Sequence, residues 1–140
     1  MSGAPEERRP RRRPGENRAG LLASGLVEFG LHGYAAAQTS AIARRAGVSQ
    51  PNVYANFSSK QELFVACLVE LLTARADAAG ASLSDEQALL VYQAVAALSE
   101  ASLAAEARPV LLALQRRLGE AGFQAVLTRA AEVLLTHPQS

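Results

Sequence analysis

Residues 38–60 bring together side chains that could recognise a nucleic acid. Gln50 and Asn52 carry amides, which can pair with the edge of an adenine through one donor and one acceptor. Hydroxyl, amide and cationic side chains of the kinds that hold phosphate oxygens surround them. These are Thr39, Ser40, Arg44, Ser49, Tyr54, Asn56 and Lys60. The chemistry of this set is recognition of a polyanion that carries readable bases.

Two short helices are needed to position these side chains. The pattern predicts one helix over residues 38–46 and a second over about residues 50–57. Gly47 lies between them, where a sharp turn needs a residue that tolerates positive φ. Ser49 is predicted to cap the second helix with its hydroxyl, and Pro51 fits the first helical turn. Two helices joined in this way form a helix-turn-helix.

Helices are also predicted on both sides of this unit. A first helix is expected over residues 17–31, because apolar side chains recur there at helical spacing and glycines follow. A fourth helix is expected from Ser58 or Ser59, with Glu62 completing a capping box, to about Ala79. Every segment so far therefore has helical periodicity.

The remaining sequence is also predicted to be helical. Ser84 is expected to cap a fifth helix over residues 85–105, and Pro109 to open a sixth. Gly119 and Gly122 are expected to mark a connection to a last amphipathic segment. No strand-like alternation is found.

The predicted fold class is therefore all-α, with three parts. Residues 1–15 form a disordered basic arm, because they hold almost no apolar side chains. Residues 16–60 form a three-helix, homeodomain-like helix-turn-helix domain. Residues 61–140 form a short helical bundle for dimerisation, and whether it also binds a ligand is left open. Three roles are left open for the arm: it adds electrostatic affinity for DNA, it enters a minor groove, or it serves only as a solubilising tail.

A long string of residues carries a family resemblance. Residues 42–64 read I-A-R-R-A-G-V-S-Q-P-N-V-Y-A-N-F-S-S-K-Q-E-L-F, after R-x-x-L-L-x₃-L-x-x-F-x-x-x-G-Y from Arg18. This string closely resembles the N-terminal DNA-binding domain of TetR-type repressors, over about one third of the chain. The resemblance implies a homodimer that binds a palindromic operator in double-stranded DNA, blocks transcription and is released by a small-molecule ligand.

The resemblance also implies roles for individual residues. Gln50 and Asn52 match base-reading positions, whereas Tyr54 and Lys60 match positions that contact phosphates. The other residues that match or adjoin DNA contacts are Thr39, Ser40, Arg44, Ser49, Pro51 and Asn56.

Three positions depart from the family pattern. Ala37 stands where the family usually has a capping Thr or Ser, so the start of the second helix is in doubt. Asn56 replaces a more usual His or aromatic residue. Gly25 stands within the first helix, where Ala is common, at a cost of about 1 kcal/mol of helix stability.

The second half of the chain is short for this resemblance, with about 60 residues after the fourth helix. Its apolar helices are expected to pair with those of a second copy in a four-helix bundle. Whether a pocket for a small apolar effector remains is left open. The candidate lining residues are Phe64, Leu68, Leu89, Tyr92 and Val95.

Charge and composition narrow the function classes. Residues 1–60 carry a net charge of +5 and residues 61–140 one of −4, so only the first half is expected to face a polyanion. The single Cys67 excludes an internal disulfide and fits a reducing cytoplasm. No membrane-spanning window or secretory signal is found, and a cytoplasmic location is expected.

Two other function classes compete with a regulator that binds DNA by itself. An enzyme is disfavoured, because the sequence lacks a G-x-S-x-G motif, a phosphate loop and a catalytic Cys–His pair. No cofactor is expected, and His32 and His137 lack the neighbours of a metal site. The alternative is a shortened helical interaction module that heterodimerises with a full-length relative and does not bind DNA alone.

Overall fold

The computed structural model describes residues 15–77 and 83–136, without the side chains of residues 75–77. The predicted basic arm lies outside these residues except for Gly15, as do Ala79, the predicted end of the fourth helix, and Gly80. Six α-helices follow one another: α1 Glu16–Ala36, α2 Thr39–Ala46, α3 Gln50–Asn56, α4 Lys60–Asp77, α5 Asp85–Ala96 and α6 Ala101–Thr136. The described residues contain no strand, and the all-α prediction is confirmed.

The turn between α2 and α3 forms as the sequence predicts. Gly47 ends α2 with φ 75° and ψ 28°, in the left-handed region that glycine adopts without steric cost. The amide of Val48 then donates to the carbonyl of Ala43 at 3.0 Å. This turn redirects the chain so that α3 begins at once.

The start of α3 differs from the prediction in one detail. Ser49 occupies the N-cap position, and its carbonyl accepts from the Asn52 amide at 3.0 Å. Its side chain makes no capping hydrogen bond, however, so the predicted hydroxyl cap is wrong. Its exposed side chain therefore faces outward beside the first turn of α3.

Two serines share the cap of α4. The Ser59 hydroxyl accepts from the Glu62 amide at 3.0 Å, and the Glu62 carboxylate accepts from the amide of Ser58 at 3.1 Å and from the Ser58 hydroxyl. These bonds from Ser58 hold the pKa of Glu62 below its ordinary value. The prediction of a capped helix start with Glu62 is confirmed, with Ser58 and Ser59 both taking part.

The boundary between α5 and α6 was predicted wrongly. Ser84 and Gln87 form the expected capping box, but α5 ends at Ala96 and a 3₁₀ turn, Ala97–Ser99, follows. The next helix begins at Ala101, so Pro109 lies inside it. The Ala-rich sequence here has no glycine or proline to mark the break, which depends on packing against other helices.

Two glycines interrupt long helices. Gly33 (φ 84°, ψ 166°) breaks α1 near its end, and Gly119 (φ 80°, ψ 164°) breaks α6 in its second half. Both conformations are strained for residues with a Cβ. The helix ends that the sequence predicts at these glycines are therefore kinks within the longer helices α1 and α6.

One hydrophobic core joins the helix-turn-helix to the following helices. The ring of Phe29 meets that of Phe64 edge-on at 4.9 Å, and Tyr34 meets Phe64 at 5.1 Å. Further fully buried side chains come from α2, α3, α5 and α6, among them Ile42, Val53, Leu90, Leu103 and Leu114. The orientation of the first three helices is therefore fixed by packing against α4 and its neighbours.

Helices α1 and α4 approach closely at Gly25. A Cβ built on Gly25 would lie 2.8 Å from the sulfur of Cys67. The departure of Gly25 from the family pattern therefore has a packing reason. Burial raises the pKa of the Cys67 thiol to about 12.

Candidate nucleic-acid interface

The exposed face of α3 carries the predicted base-reading and phosphate-binding side chains. Gln50 and Tyr54 are one helical turn apart and therefore share a face. Both are exposed, and the side chain of Tyr54 keeps 49% of its surface accessible. With Pro51 and Ala55 they line an open concavity of about 550 Å³. Val53 turns the other way, into the core, and anchors α3.

Thr39 of α2 holds two of these side chains. The Gln50 amide nitrogen donates to the Thr39 hydroxyl at 2.9 Å, and the hydroxyls of Thr39 and Tyr54 are 3.0 Å apart. Thr39 is itself 7% exposed, so it lies beneath the surface that Gln50 and Tyr54 present. The structure thus joins three predicted site residues from two helices.

Asn52 is held by a different residue of the same helix. The Asn56 amide nitrogen donates to the backbone carbonyl of Asn52 at 2.9 Å and to its side-chain oxygen at 3.1 Å. Asn56 is among the predicted DNA contacts, and in this structure it orients Asn52. The side-chain amide protons of Asn52 take no part in this bond.

Lys60 lies at the first residue of α4 and contacts the end of α1. Its ammonium donates to the carbonyls of Ala35 and Ala37 at 3.2 and 3.1 Å, and lies 4.8 Å from the ring centre of Tyr34. An ammonium has three donors, so one remains for a phosphate oxygen. Lys60 therefore connects α4 to the segment that leads into α2.

The two arginines of α2 have different surroundings. Arg45 donates from Nε and Nη2 to one oxygen of Glu28 at 2.9 and 2.6 Å, and Glu28 is buried in α1. His32 approaches the other oxygen of Glu28 at 3.6 Å. Arg44 is exposed. Arg45 thus fixes α2 against α1, whereas Arg44 faces solvent near the proposed interface.

The remaining polar candidates lie at the starts of the two short helices. Ser40, in the first turn of α2, is partly exposed, and its hydroxyl donates to the Gln38 side chain at 3.5 Å. Gln38 takes the N-cap position of α2 but makes no side-chain cap. Ser40 in the first turn of α2 and Ser49 at the N-cap of α3 are thus both accessible to solvent at least in part.

Comparison with known proteins agrees with this geometry. Residues 21–67 match the model of the bacterial regulatory proteins of the tetR family. Over 62 residues the chain is 48% identical to the HTH-type transcriptional activator FasR of Mycolicibacterium smegmatis. That alignment covers 44% of this chain and 28% of FasR, so the chain spans little more than a quarter of that relative.

Residues 21–67 therefore have the sequence of a tetR-family DNA-binding segment. The match covers α2 and α3 in full, most of α1 and the first part of α4. TetR-family regulators are DNA-binding transcription factors and not enzymes. The resemblance to the family is therefore confirmed.

A solved structure supports the arrangement of the whole fold. The fatty acid degradation regulator FadR from Bacillus halodurans aligns with 90% of this chain and 80% of its own length, with a TM-score of 0.51 and 22% identity. At this identity the likeness concerns the fold alone. The described residues of the chain thus share the architecture of a helix-turn-helix followed by a helical bundle.

The five apolar candidates for a ligand site do not meet around one cavity. Phe64 and Leu68 are buried in the main core, whereas Leu89 belongs to a separate small cluster with Ala88 and Ala130. Tyr92 keeps 36% of its surface exposed, and Val95 packs at the edge of the main core. Their place as ligand contacts stays a prediction that the packing does not favour.

Sequence patterns missed three contacts of this candidate interface. They are the Thr39 contacts to α3, the Asn56 bond to Asn52, and the pairing of Arg45 with Glu28. Only the spacing of four between residues 52 and 56 could have been read as a helical amide pair. The other two depend on how separate helices pack.

Among the described residues, no helix combines the length and the apolar character needed to cross a membrane.

Proposed function

We propose that this chain is a TetR-type regulator, which binds a two-fold-symmetric operator in double-stranded DNA as a homodimer and represses transcription there. The observation that carries the proposal is the exposed face of α3, on which Gln50, Asn52 and Tyr54 are held outward by hydrogen bonds. A short helix with polar side chains in its first turns fits the major groove.

The division of chemistry along this surface supports sequence-specific binding. Gln50 and Asn52 are amides, which discriminate bases through paired hydrogen bonds. Tyr54, Lys60 and Arg44 carry a hydroxyl, an ammonium and a guanidinium, which suit phosphate oxygens. We propose that Ser40 and Ser49 add phosphate contacts at the starts of α2 and α3, where helix amides also favour an anion.

The second half of the chain supports a dimer. Leu112 and Leu135 on α6 are 47% and 84% exposed, which is costly for leucines in water. Pairing α6 with that of a second copy would cover them and place two α3 helices in a symmetric pair. A symmetric pair of recognition helices calls for an inverted repeat in the DNA.

We further propose that a small apolar effector releases the operator. A cavity of about 280 Å³ between α1, α4 and α5 supports this proposal better than the five residues that the sequence predicts as its lining. It is lined by Ala19, Leu22, Ala23, Leu26, Cys67, Glu70, Leu71, Ala74 and Gln87. A ligand there would press on α1, which packs against the recognition unit, and binding at one site would change affinity at the other.

The relative FasR is named an activator, so activation is the second candidate. The two candidates differ in where the operator must lie relative to the promoter. We would place a selected operator either across the promoter or upstream of it, ahead of a reporter gene. Repression requires lower output from the overlapping site, with no rise from the upstream site.

The same reporter strain should include a matched control chain, Asn52→Ala with Gln50→Ala. This control keeps the packed face of α3, because Val53 and Phe57 are unchanged. Equal reporter output from wild type and control at both operator positions would contradict the proposed function. Increased output from the upstream site alone would replace repression with activation.

A further inference from the structure

Thr39 is the first residue of α2, and two polar side chains of α3 converge on its hydroxyl. Gln50 Nε2 lies 2.9 Å from Thr39 Oγ1, and the phenol oxygen of Tyr54 lies 3.0 Å from the same atom. Thr39 keeps only 7% of its surface exposed. A residue so covered is poorly placed to contact a phosphate itself, yet it touches both a predicted base reader and a predicted phosphate ligand.

The direction of the hydrogen bonds follows from the donors present. The Gln50 nitrogen has only protons to offer, so the Thr39 oxygen accepts there. The Thr39 hydroxyl has one proton, and the oxygen of Tyr54 is the acceptor within reach. Placing that proton on the bond to Tyr54 satisfies the covered hydroxyl fully. The proton of the phenol then remains for an acceptor outside, on the exposed side of Tyr54.

We infer that Thr39 is a positioning residue that couples base reading by Gln50 to phosphate binding by Tyr54. The coupling is a chain of hydrogen bonds from the Gln50 amide through the Thr39 hydroxyl to the phenol of Tyr54, which donates to a DNA phosphate. Successive bonds in such a chain polarise one another. The inference rests on the proposed function, since it assigns Thr39 a part in the same DNA-binding surface.

The hydrogen-bond chain fixes which atoms Gln50 presents. One amide proton is used by Thr39, so the side-chain oxygen and the second proton face outward. This is the donor and acceptor pair that an adenine edge requires. Removal of the Thr39 hydroxyl would free the amide to rotate, and discrimination at that base pair would fall although Thr39 touches no base.

The test compares Thr39→Val, which keeps the shape but removes the hydroxyl, with Thr39→Ser, which keeps the hydroxyl. Both are combined with Gln50→Ala and with Tyr54→Phe. Affinity is measured by fluorescence anisotropy for the operator selected by the wild type. It is also measured for three operators altered at the base pair whose preference Gln50→Ala relaxes. Thermal unfolding of each variant verifies that it is folded at the temperature of the titration.

We expect Thr39→Val to lower operator affinity by about tenfold and to lose discrimination at the same base pair as Gln50→Ala. Thr39→Ser should keep both the operator affinity and the discrimination of the wild type. The effect of Thr39→Val on affinity should shrink to about twofold in the Tyr54→Phe background, because the hydrogen-bond chain is already broken there.

Three results would overturn the inference. In the first, Thr39→Val retains full discrimination at the base pair and only its melting temperature falls. That result would indicate a purely structural role for Thr39. The second is additivity of all the substitutions. The third is an equal reduction of affinity for every sequence with a flatter salt dependence, which is a direct phosphate contact. Failure of the wild type to bind any duplex would overturn the proposed function together with this inference, whereas the three results above leave that function standing.

Discussion

Neighbouring residues on one helix can serve different purposes, and Arg44 and Arg45 offer a direct comparison. Arg44→Ala should weaken binding to all duplexes alike and lower the slope of log affinity against log salt by about 0.9 for each phosphate that is no longer neutralised. Arg45→Ala should leave that slope unchanged, because its guanidinium is already bound to Glu28. Salt titrations of both variants measure the difference.

Arg45→Ala should instead reduce stability, by about 2 kcal/mol. Without the guanidinium, the Glu28 carboxylate, whose side chain is 9% exposed, keeps only His32, at 3.6 Å, as an ionisable partner among the described residues. Urea unfolding of Arg45→Ala and Arg44→Ala compares the two directly. Equal stabilities, together with a lower salt slope for Arg45→Ala, would reverse the roles assigned to the two arginines.

The buried thiol of Cys67 predicts a dependence of stability on alkaline pH. Burial, and then the charge of Glu70, raise its pKa from 9.0 to about 12 in the folded chain. A pKa raised on folding gives stabilisation that is complete below the unfolded value and is lost as pH rises from about 9 toward 12. The advantage of wild type over Cys67→Ala in urea unfolding should therefore narrow between about pH 8 and about pH 11. A constant difference over this range would show that the thiol is not desolvated.

Sequence alone identified the exposed polar residues of α3 but not the bonds that hold them. Gln50, Asn52 and Tyr54 follow from their order along a helix, because one helical turn fixes which side chains share a face. The bonds to Thr39 and the Glu28–Arg45 pair join helices whose relative placement is set by the core. Such contacts between helices leave no periodic trace in the sequence.

At the scale of elements, the close contact of α1 with α4 should reverse the effect that helix propensity alone predicts for a substitution at Gly25. Gly25→Ala would be expected to stabilise a free helix by about 1 kcal/mol. Here the added methyl would lie 2.8 Å from the Cys67 sulfur, and we expect a net destabilisation of about 1–3 kcal/mol.

The matched control removes the opposing atom. Gly25→Ala combined with Cys67→Ala should be at least as stable as Cys67→Ala alone, because the methyl then fills space that the sulfur left. Denaturant unfolding of the four chains gives the interaction energy between the two sites. A stable Gly25→Ala single variant, equal to wild type, would mean that α1 and α4 lie farther apart.

Helix ends were predictable where side chains mark them. Local hydrogen bonds form the caps at Ser84, Ser58 and Ser59. A positive φ allows the turn at Gly47. The break between α5 and α6 has no such marker. The sequence predicts Pro109 at a helix start, because the first helical turn tolerates a missing amide, yet Pro109 lies inside α6. Tertiary packing therefore overrides local preference in the second half of the chain.

At the scale of the whole molecule, the exposed leucines of α6 predict self-association. Leu112→Arg with Leu135→Arg should shift the protein from dimer toward monomer, because a charge cannot be covered at an apolar interface without cost. Sedimentation velocity measures the oligomeric state over a range of concentrations. The matched control is Leu118→Arg alone, on the same helix but packed against the main core, which should reduce folding stability instead.

The dimer prediction extends to DNA binding. Two half-sites bound together gain affinity that each head alone lacks. The double arginine variant, if folded and monomeric, should therefore bind an inverted repeat much more weakly than the wild type does. A wild type that sediments as a monomer at all concentrations, and still binds as tightly, would remove the symmetric dimer from the proposal.

The measurement that tests the central claim most directly is selection of the purified wild-type protein against a randomised DNA duplex, alongside Tyr54→Ala with Lys60→Ala. The double variant removes two proposed phosphate contacts from the edges of the recognition surface. The proposed function predicts that the wild type alone recovers one sequence, arranged as an inverted repeat. Recovery of no sequence by folded, dimeric wild type would contradict it, and would favour a family member that needs a partner to bind DNA.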